Sequence, residues 1–191
     1  MDAIVPNAPV LYNYDVDRNA SPGLTIAKGG SGPYESDPTK YQAWLTAPLS
    51  TAIVVDGTVM VHLWTGTANF DVTLRAAVSA YLLDCGGSGC VELGGGTLSD
   101  SKWQHESATW VQSTFTFPVG PHTVPVGNKL ELKVIVEPSS AGDMWFAYDA
   151  NDHKSRVTVP SGPASALASE AGLMGLVARW LAQPWARLLL A

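Results

Sequence analysis

Phe70-Asp71-Val72-Thr73-Leu74-Arg75-Ala76-Ala77-Val78-Ser79-Ala80-Tyr81-Leu82 is written in steps of two. Phe70, Val72, Leu74, Ala76, Val78, Ala80 and Leu82 fall on one side of an extended chain, and Asp71, Thr73, Arg75 and Ser79 on the other. Side chains alternate between faces only in a β-strand, so this stretch is a strand with one buried face. The same period runs outward from it in both directions. Val59, Val61 and Leu63 alternate with Met60, His62 and Trp64; Val111, Ser113, Phe115 and Phe117 with Gln112, Thr114 and Thr116; Leu130, Leu132, Val134 and Val136 with Glu131, Lys133 and Glu137. Further strands are expected over 8–14, at Leu24–Ala27, Tyr41–Ala47, Met144–Tyr148 and Arg156–Val159. Asp56-Gly57 between Thr51–Val55 and Thr58–Trp64 supplies the positive φ of a tight turn and predicts a hairpin there.

Strands spaced by turns, with no helical stretch between them, predict an all-β fold: an antiparallel, jelly-roll-like β-sandwich over residues 1–160. After Pro160 the composition changes. Ser161-Gly162-Pro163 reads as a linker, and Ala164–Ala191 is made of helix formers. Arg179, Gln183 and Arg187, spaced by four, mark one polar stripe of an amphipathic helical segment that Pro184 kinks. Residues 161–191 therefore form a second unit, linker and helix. Leu173, Leu176, Val177, Trp180, Leu181 and Trp185 on its apolar side are the candidate partner-binding residues. The helix has three destinations: its own sandwich, a partner or second copy, or a membrane surface. The second faces of the strands read polar, which favours docking away from the sandwich. Arg179, Gln183, Pro184 and Arg187 within one stretch argue against a membrane-spanning helix.

Of 191 residues, 46% are hydrophobic and only 15% charged, against about 25% in ordinary globular chains. The net charge of −6 repels phosphate backbones, so nucleic acid is not an expected partner. Cys85 and Cys90 flank Gly86-Gly87-Ser88-Gly89, with strand-like sequence on either side. Their positions suit a disulfide across a hairpin, and with it an oxidising, extracellular or cell-surface location; two free thiols are the other reading. A lone Cys-x4-Cys does not make a zinc site. Met1-Asp2-Ala3-Ile4-Val5-Pro6 has neither the basic region nor the apolar run of a secretory signal, so an exported protein would carry this chain as a mature part or an excised domain.

The run Thr46-Ala47-Pro48-Leu49, then Val54-Val55-Asp56-Gly57-Thr58-Val59-Met60-Val61-His62-Leu63-Trp64, then Phe70-Asp71-Val72-Thr73-Leu74, and later Val124-Pro125-Val126-Gly127-Asn128-Lys129-Leu130-Glu131-Leu132, resembles the C-terminal jelly-roll domain of X-Pro dipeptidyl-peptidase and cocaine-esterase-like hydrolases. The resemblance covers about residues 41–136 and implies the galactose-binding-like β-sandwich fold. In those hydrolases the catalytic triad belongs to a separate α/β-hydrolase domain, which has no counterpart in this sequence, so the resemblance implies no catalytic residue here.

Direct inspection agrees. The Gly/Ser stretches at 29–32 and 86–89 miss the Gly-x-Ser-x-Gly elbow of serine hydrolases, and no His-Glu-x-x-His, P-loop or dinucleotide fingerprint occurs. His62, His105, His122 and His153 are scattered. Asp15-Val16-Asp17-Arg18-Asn19 is the sharpest polar cluster: Asp15, Asp17 and Asn19, with Asp149 or Glu35, have the oxygen chemistry of a calcium site. The competing reading is an Asp-rich turn whose carboxylates cap backbone amides and pair with Arg18. Seven Trp and six Tyr suit either a packed core or rings that stack on sugars. The expected function is a non-catalytic extracellular module that binds a glycan or surface partner or helps assemble a surface structure; the alternative is an accessory domain of a secreted hydrolase.

Overall fold

The computed structural model describes residues 24–66, 75–102, 111–147 and 155–163. Within them lie ten strands: β1 (Leu24–Ile26), β2 (Tyr41–Leu45), β3 (Ile53–Gly66), β4 (Arg75–Gly86), β5 (Gly89–Lys102), β6 (Val111–Val124), β7 (Lys129–Val136), β8 (Met144–Ala147), β9 (Arg156–Thr158) and β10 (Ser161–Pro163). The described residues contain no helix. The 8–14 strand, the 164–191 helix and its six apolar contact residues lie outside the described residues.

All strand pairings are antiparallel. One sheet runs β2-β7-β4-β5. The other is built on β3, with β6 along one edge and β8, β9 and β10 docked in turn along the opposite edge; β1 extends it through β8. The inward faces meet in one core. Val59, Val61 and Leu63 of β3 and Phe115, Phe117 and Val119 of β6 face Val78, Ala80 and Leu82 of β4 and Leu132, Val134 and Val136 of β7. All but Val119 are residues that the period-two pattern places on one face. Full burial of each aliphatic side chain contributes roughly 1.5–3 kcal/mol, so this layer holds the sandwich together.

Asp56-Gly57 does not turn the chain. β3 passes straight through it, and Gly57 takes φ 119° within the strand. Val55 pairs with His122 and Gly57 with Val119, so Asp56 faces two residues, Gly120 and Pro121. The positive φ is used at a β-bulge whose extra residue lies on β6. Pro121 has no N–H to give a ladder, and Pro118 likewise sits in β6, which among the described strands pairs with β3 alone; prolines are tolerated on such an edge. Ser161–Pro163 is strand rather than linker, paired with Ile53–Val55, so the sandwich reaches at least Pro163.

Two outer faces differ. The segment between β1 and β2 lies over the β2-β7-β4-β5 sheet. Gly29 and Gly30 donate backbone hydrogen bonds to the Val136 carbonyl, and the Tyr34 hydroxyl accepts one from the Glu92 N–H. A Cβ on Gly30 would lie 2.7 Å from Cβ of Ile135, whose side chain is fully buried beneath this roof. Ser79, read from sequence as facing solvent, is also fully buried; it hydrogen-bonds Thr97 at 2.6 Å and the Glu137 carboxylate. Glu131 is buried too, beside Lys133 at 3.5 Å. Charged residues on this second face thus pair under cover. The outer face of the β3 sheet has no such roof among the described residues.

Candidate functional site

That open face is assembled by register. On β3 the outward residues are Met60, His62 and Trp64, opposite Thr116, Thr114 and Gln112 of β6. On the other edge His62 faces Arg156 of β9 and Met60 faces Thr158. Trp145 of β8 lies between the buried Met144 and Phe146, so it points outward, opposite Gly66. Trp64 faces Ala147, which makes Trp145 its diagonal neighbour, roughly 7–8 Å away at Cα and within reach for aromatic rings. Both indoles are half-buried, whereas Trp44 is 4% exposed and belongs to the core. The large-ring question therefore divides: Trp44 packs, Trp64 and Trp145 face out.

Polar side chains around the rings are held in place. The Nδ1 of His62 is 2.8 Å from the Thr114 hydroxyl. Burial, and next the positive Arg156 guanidinium, hold the imidazole below the usual histidine range, which leaves it neutral at pH 7. The backbone N–H of Trp64 donates to the Ser155 hydroxyl at 2.8 Å, tying β3 to the start of β9. Arg156 is exposed, and no carboxylate pairs with it among the described residues.

A second polar cluster closes one end of the sandwich. Asp84 of β4 is buried and accepts a hydrogen bond from Asn128 Nδ2 at 2.7 Å, and its other oxygen is 2.9 Å from His122 Nε2 on β6. Asn128 fits because residue 86 is glycine; a Cβ there would be 2.5 Å from its Oδ1. This cluster ties the two sheets together.

Cys85 and Cys90 are joined by a disulfide, as the sequence suggests. They stand directly opposite in the β4–β5 ladder, which narrows the expected four-residue turn to Gly87-Ser88. Glu131 Oε2 lies 3.4 Å from Cys85 Sγ. The fold thus brings a third ligating group to the pair, which the sequence spacing did not disclose, but disulfide sulfurs are not the thiolates that bind zinc.

Of the expected calcium ligands, Asp15, Asp17, Asn19 and Asp149 lie outside the described residues. Glu35 is described, and its carboxylate is engaged within its own loop. Its two oxygens accept from Ser31 N–H (2.7 Å), Ser31 hydroxyl (2.8 Å), Ser36 N–H (2.9 Å) and Asp37 N–H (2.8 Å). Four donors occupy the lone pairs that a cation would need. These bonds, the Asp37 amide first and the Ser31 hydroxyl next, lower its pKa from 4.5 to about 2. Its role is to fix the roof.

The signal for the open face was partly visible: Met60, His62 and Trp64 alternate with the core residues of β3. What brings Trp145 and Arg156 beside them is long-range pairing, which no local pattern encodes.

No protein-family model and no curated protein matches the chain. Solved structures do. An α-amino acid ester hydrolase aligns at TM-score 0.56 and 13% identity, over 70% of this chain and 27% of that one. An aminopeptidase from the marine sediment archaeon Thaumarchaeota archaeon aligns at TM-score 0.57 and 12% identity, over 70% and 28%. A CocE/NonD family hydrolase from Staphylococcus aureus aligns at TM-score 0.54 and 10% identity, over 82% and 34%. This chain spans about a quarter to a third of their length. At such identities the likeness carries the fold alone, and it bears out the resemblance read from the sequence: the chain has the β-sandwich fold that forms one part of hydrolases of the CocE/NonD kind.

Proposed function

We propose that this chain is a non-catalytic β-sandwich module of an exported protein, accessory to a hydrolase, and that it holds a partner on the outer face of the β3 sheet. The observation that carries the reading is the partial alignment: the same fold occurs as about a quarter to a third of several hydrolase chains. The Cys85–Cys90 disulfide supports an extracellular or cell-surface location. The open face supports binding, because half-buried indoles ringed by fixed polar groups offer both contact area and orientation. The module positions or recruits; the chemistry belongs to a partner domain.

A screen of the purified chain against chromogenic esters and aminoacyl anilides tests this. No turnover is expected. Turnover abolished by replacing one Ser or His of this chain would overturn the proposal.

A further inference from the structure

We infer that the tip of the β4–β5 hairpin is a redox-gated zinc site: reduction of the Cys85–Cys90 disulfide leaves two thiolates that hold the ion together with the Glu131 carboxylate. The inference goes beyond the accessory-module reading and does not depend on it.

Glu131 of β7 presents a buried oxygen without a donor. The residue is 8% exposed. Its Oε1 lies 3.5 Å from Lys133 Nζ. Its Oε2 faces sulfur: Cys85 Sγ at 3.4 Å and Cys90 Sγ at 3.9 Å. A disulfide sulfur carries no hydrogen, so neither contact is a hydrogen bond while the S–S bond stands. Among the described residues Oε2 has no other polar partner. Buried polar atoms are nearly always met by a partner, and here a partner forms only when the sulfurs are released.

The three groups come from β5, β4 and β7, neighbours in one sheet. Cys90 and Cys85 share a rung, and Glu131 stands opposite Leu83, diagonal to Cys85. Their ligand atoms all lie within 4.8 Å of one another. Two thiolates and a carboxylate are a zinc donor set, with water left for the fourth tetrahedral position. A hard cation such as calcium would ask for oxygens alone. The donors together outweigh a divalent ion by one negative charge, and the Lys133 ammonium balances it. That ammonium is held by the Glu35 carbonyl at 3.1 Å and lies 4.5 Å from the centre of the Tyr41 ring. Because the ladder places every donor, little ordering accompanies binding.

Cys90 is exposed and Cys85 only 9% so, which offers the Cys90 sulfur to an attacking thiolate. A dithiol reductant forms a mixed disulfide there, and Cys85 departs as thiolate. The reductant's second thiol then releases Cys90. Two electrons and two protons pass to the pair, and the reductant leaves as its own disulfide. The thiol protons go to solvent as zinc binds.

Zinc binding to the full, untagged chain, measured by competition with a chromogenic chelator before and after anaerobic reduction with a phosphine, tests the inference. The expected result is one zinc per reduced chain and none per oxidised chain, with excess calcium unable to displace it. Cobalt in place of zinc should give the charge-transfer absorption of thiolate ligation. Glu131→Gln should weaken binding to the reduced chain about tenfold or more, at least the cost of disturbing a ligand's outer partner. Thermal melts verify that the variant is folded. If E131Q melts early, Cys90→Ser at the exposed tip carries the comparison and should weaken binding as much. A reduced native chain that takes no zinc, an oxidised chain that takes as much, or a folded variant of either kind that binds as tightly as the native chain would each overturn the inference. None of these touches the accessory reading, which fails only through turnover in the ester and anilide screen.

Discussion

Gly94-Gly95-Gly96 in β5 offers the sharpest test of how the sandwich closes. β5 edges one sheet and β6 the other, and the glycines let the two pass close to each other. A Cβ on Gly94 would stand 2.7 Å from the Pro118 carbonyl oxygen and 3.2 Å from Val119 Cγ2. One on Gly96 would stand 3.1 Å from Phe117 Cδ1 and 3.3 Å from the Thr116 carbonyl. Gly95 faces the other way, and its Cβ would run into the Tyr81 ring at Cδ1. Overpacking a close-packed interior costs roughly 1–3 kcal/mol. Gly94→Ala belongs at the upper end, about 2–3 kcal/mol, because the obstacle is backbone in a paired strand and cannot rotate away. At roughly 2–4 °C per kcal/mol for a chain of this size, the melting temperature should fall by about 4–12 °C. Gly96→Ala should cost less, since a Phe117 ring can give by tenths of an ångström. Gly95→Ala should be rescued in part by Tyr81→Ala, so the pair will be non-additive. Gly120→Ala, with nothing within 4 Å of its Cβ, is the control and should lie within about 1 kcal/mol of the native chain. Urea denaturation monitored by tryptophan fluorescence reads each single variant and the Gly95/Tyr81 double variant. Gly94→Ala as stable as Gly120→Ala would refute the account of this edge.

Glu35→Gln should lower the melting temperature at pH 7 and remove an acid-sensitive component: because the folded pKa is depressed, the carboxylate's contribution is complete above 4.5 and disappears as pH falls towards about 2. Identical pH–melting curves for variant and native chain would contradict its role in the roof. Replacing both cysteines by serine should cost about 2 kcal/mol in urea, the chain-entropy value for so short a closed loop; no change would mean that the β4–β5 ladder alone fixes the tip. Calcium held by Asp15, Asp17, Asn19 and Asp149 should raise the melting temperature over that in chelator, and equal melting would dismiss the site. Truncation after Pro163 should leave a folded sandwich that no longer self-associates or binds lipid vesicles; a chain that fails to fold would place 164–191 in the core.

Period-two alternation made the core faces of β3, β4, β6 and β7 legible, because burial of one face imposes that period directly. The disulfide was legible because its two positions are close along the chain. Asp56-Gly57 misled for a physical reason: positive φ serves a hairpin turn and a β-bulge equally, and the choice is made by Gly120-Pro121 on another strand. Ser79 and Glu131 misled because polarity was equated with exposure, whereas their partners Glu137 and Lys133 allow burial. Glu35 was noticed for its carboxylate, but its four donors come from Ser31, Ser36 and Asp37, an arrangement of the loop and not of composition. Arg156 gained meaning only once β9 was placed against His62.

One edge of β3 is covered in instalments: three rungs from β8, three from β9 and three from β10, each supplied by a separate stretch of chain. During synthesis β3 therefore waits with an open edge until residue 163 has emerged, long after its β6 neighbour has become available. An unpaired edge is a template for wrong partners. The expected signature in the finished protein is a gradient of amide exchange, slowest along β3–β6 and fastest at the three short docked strands, with β10 the first to open. Uniform exchange across the sheet would mean that the instalments lock as one.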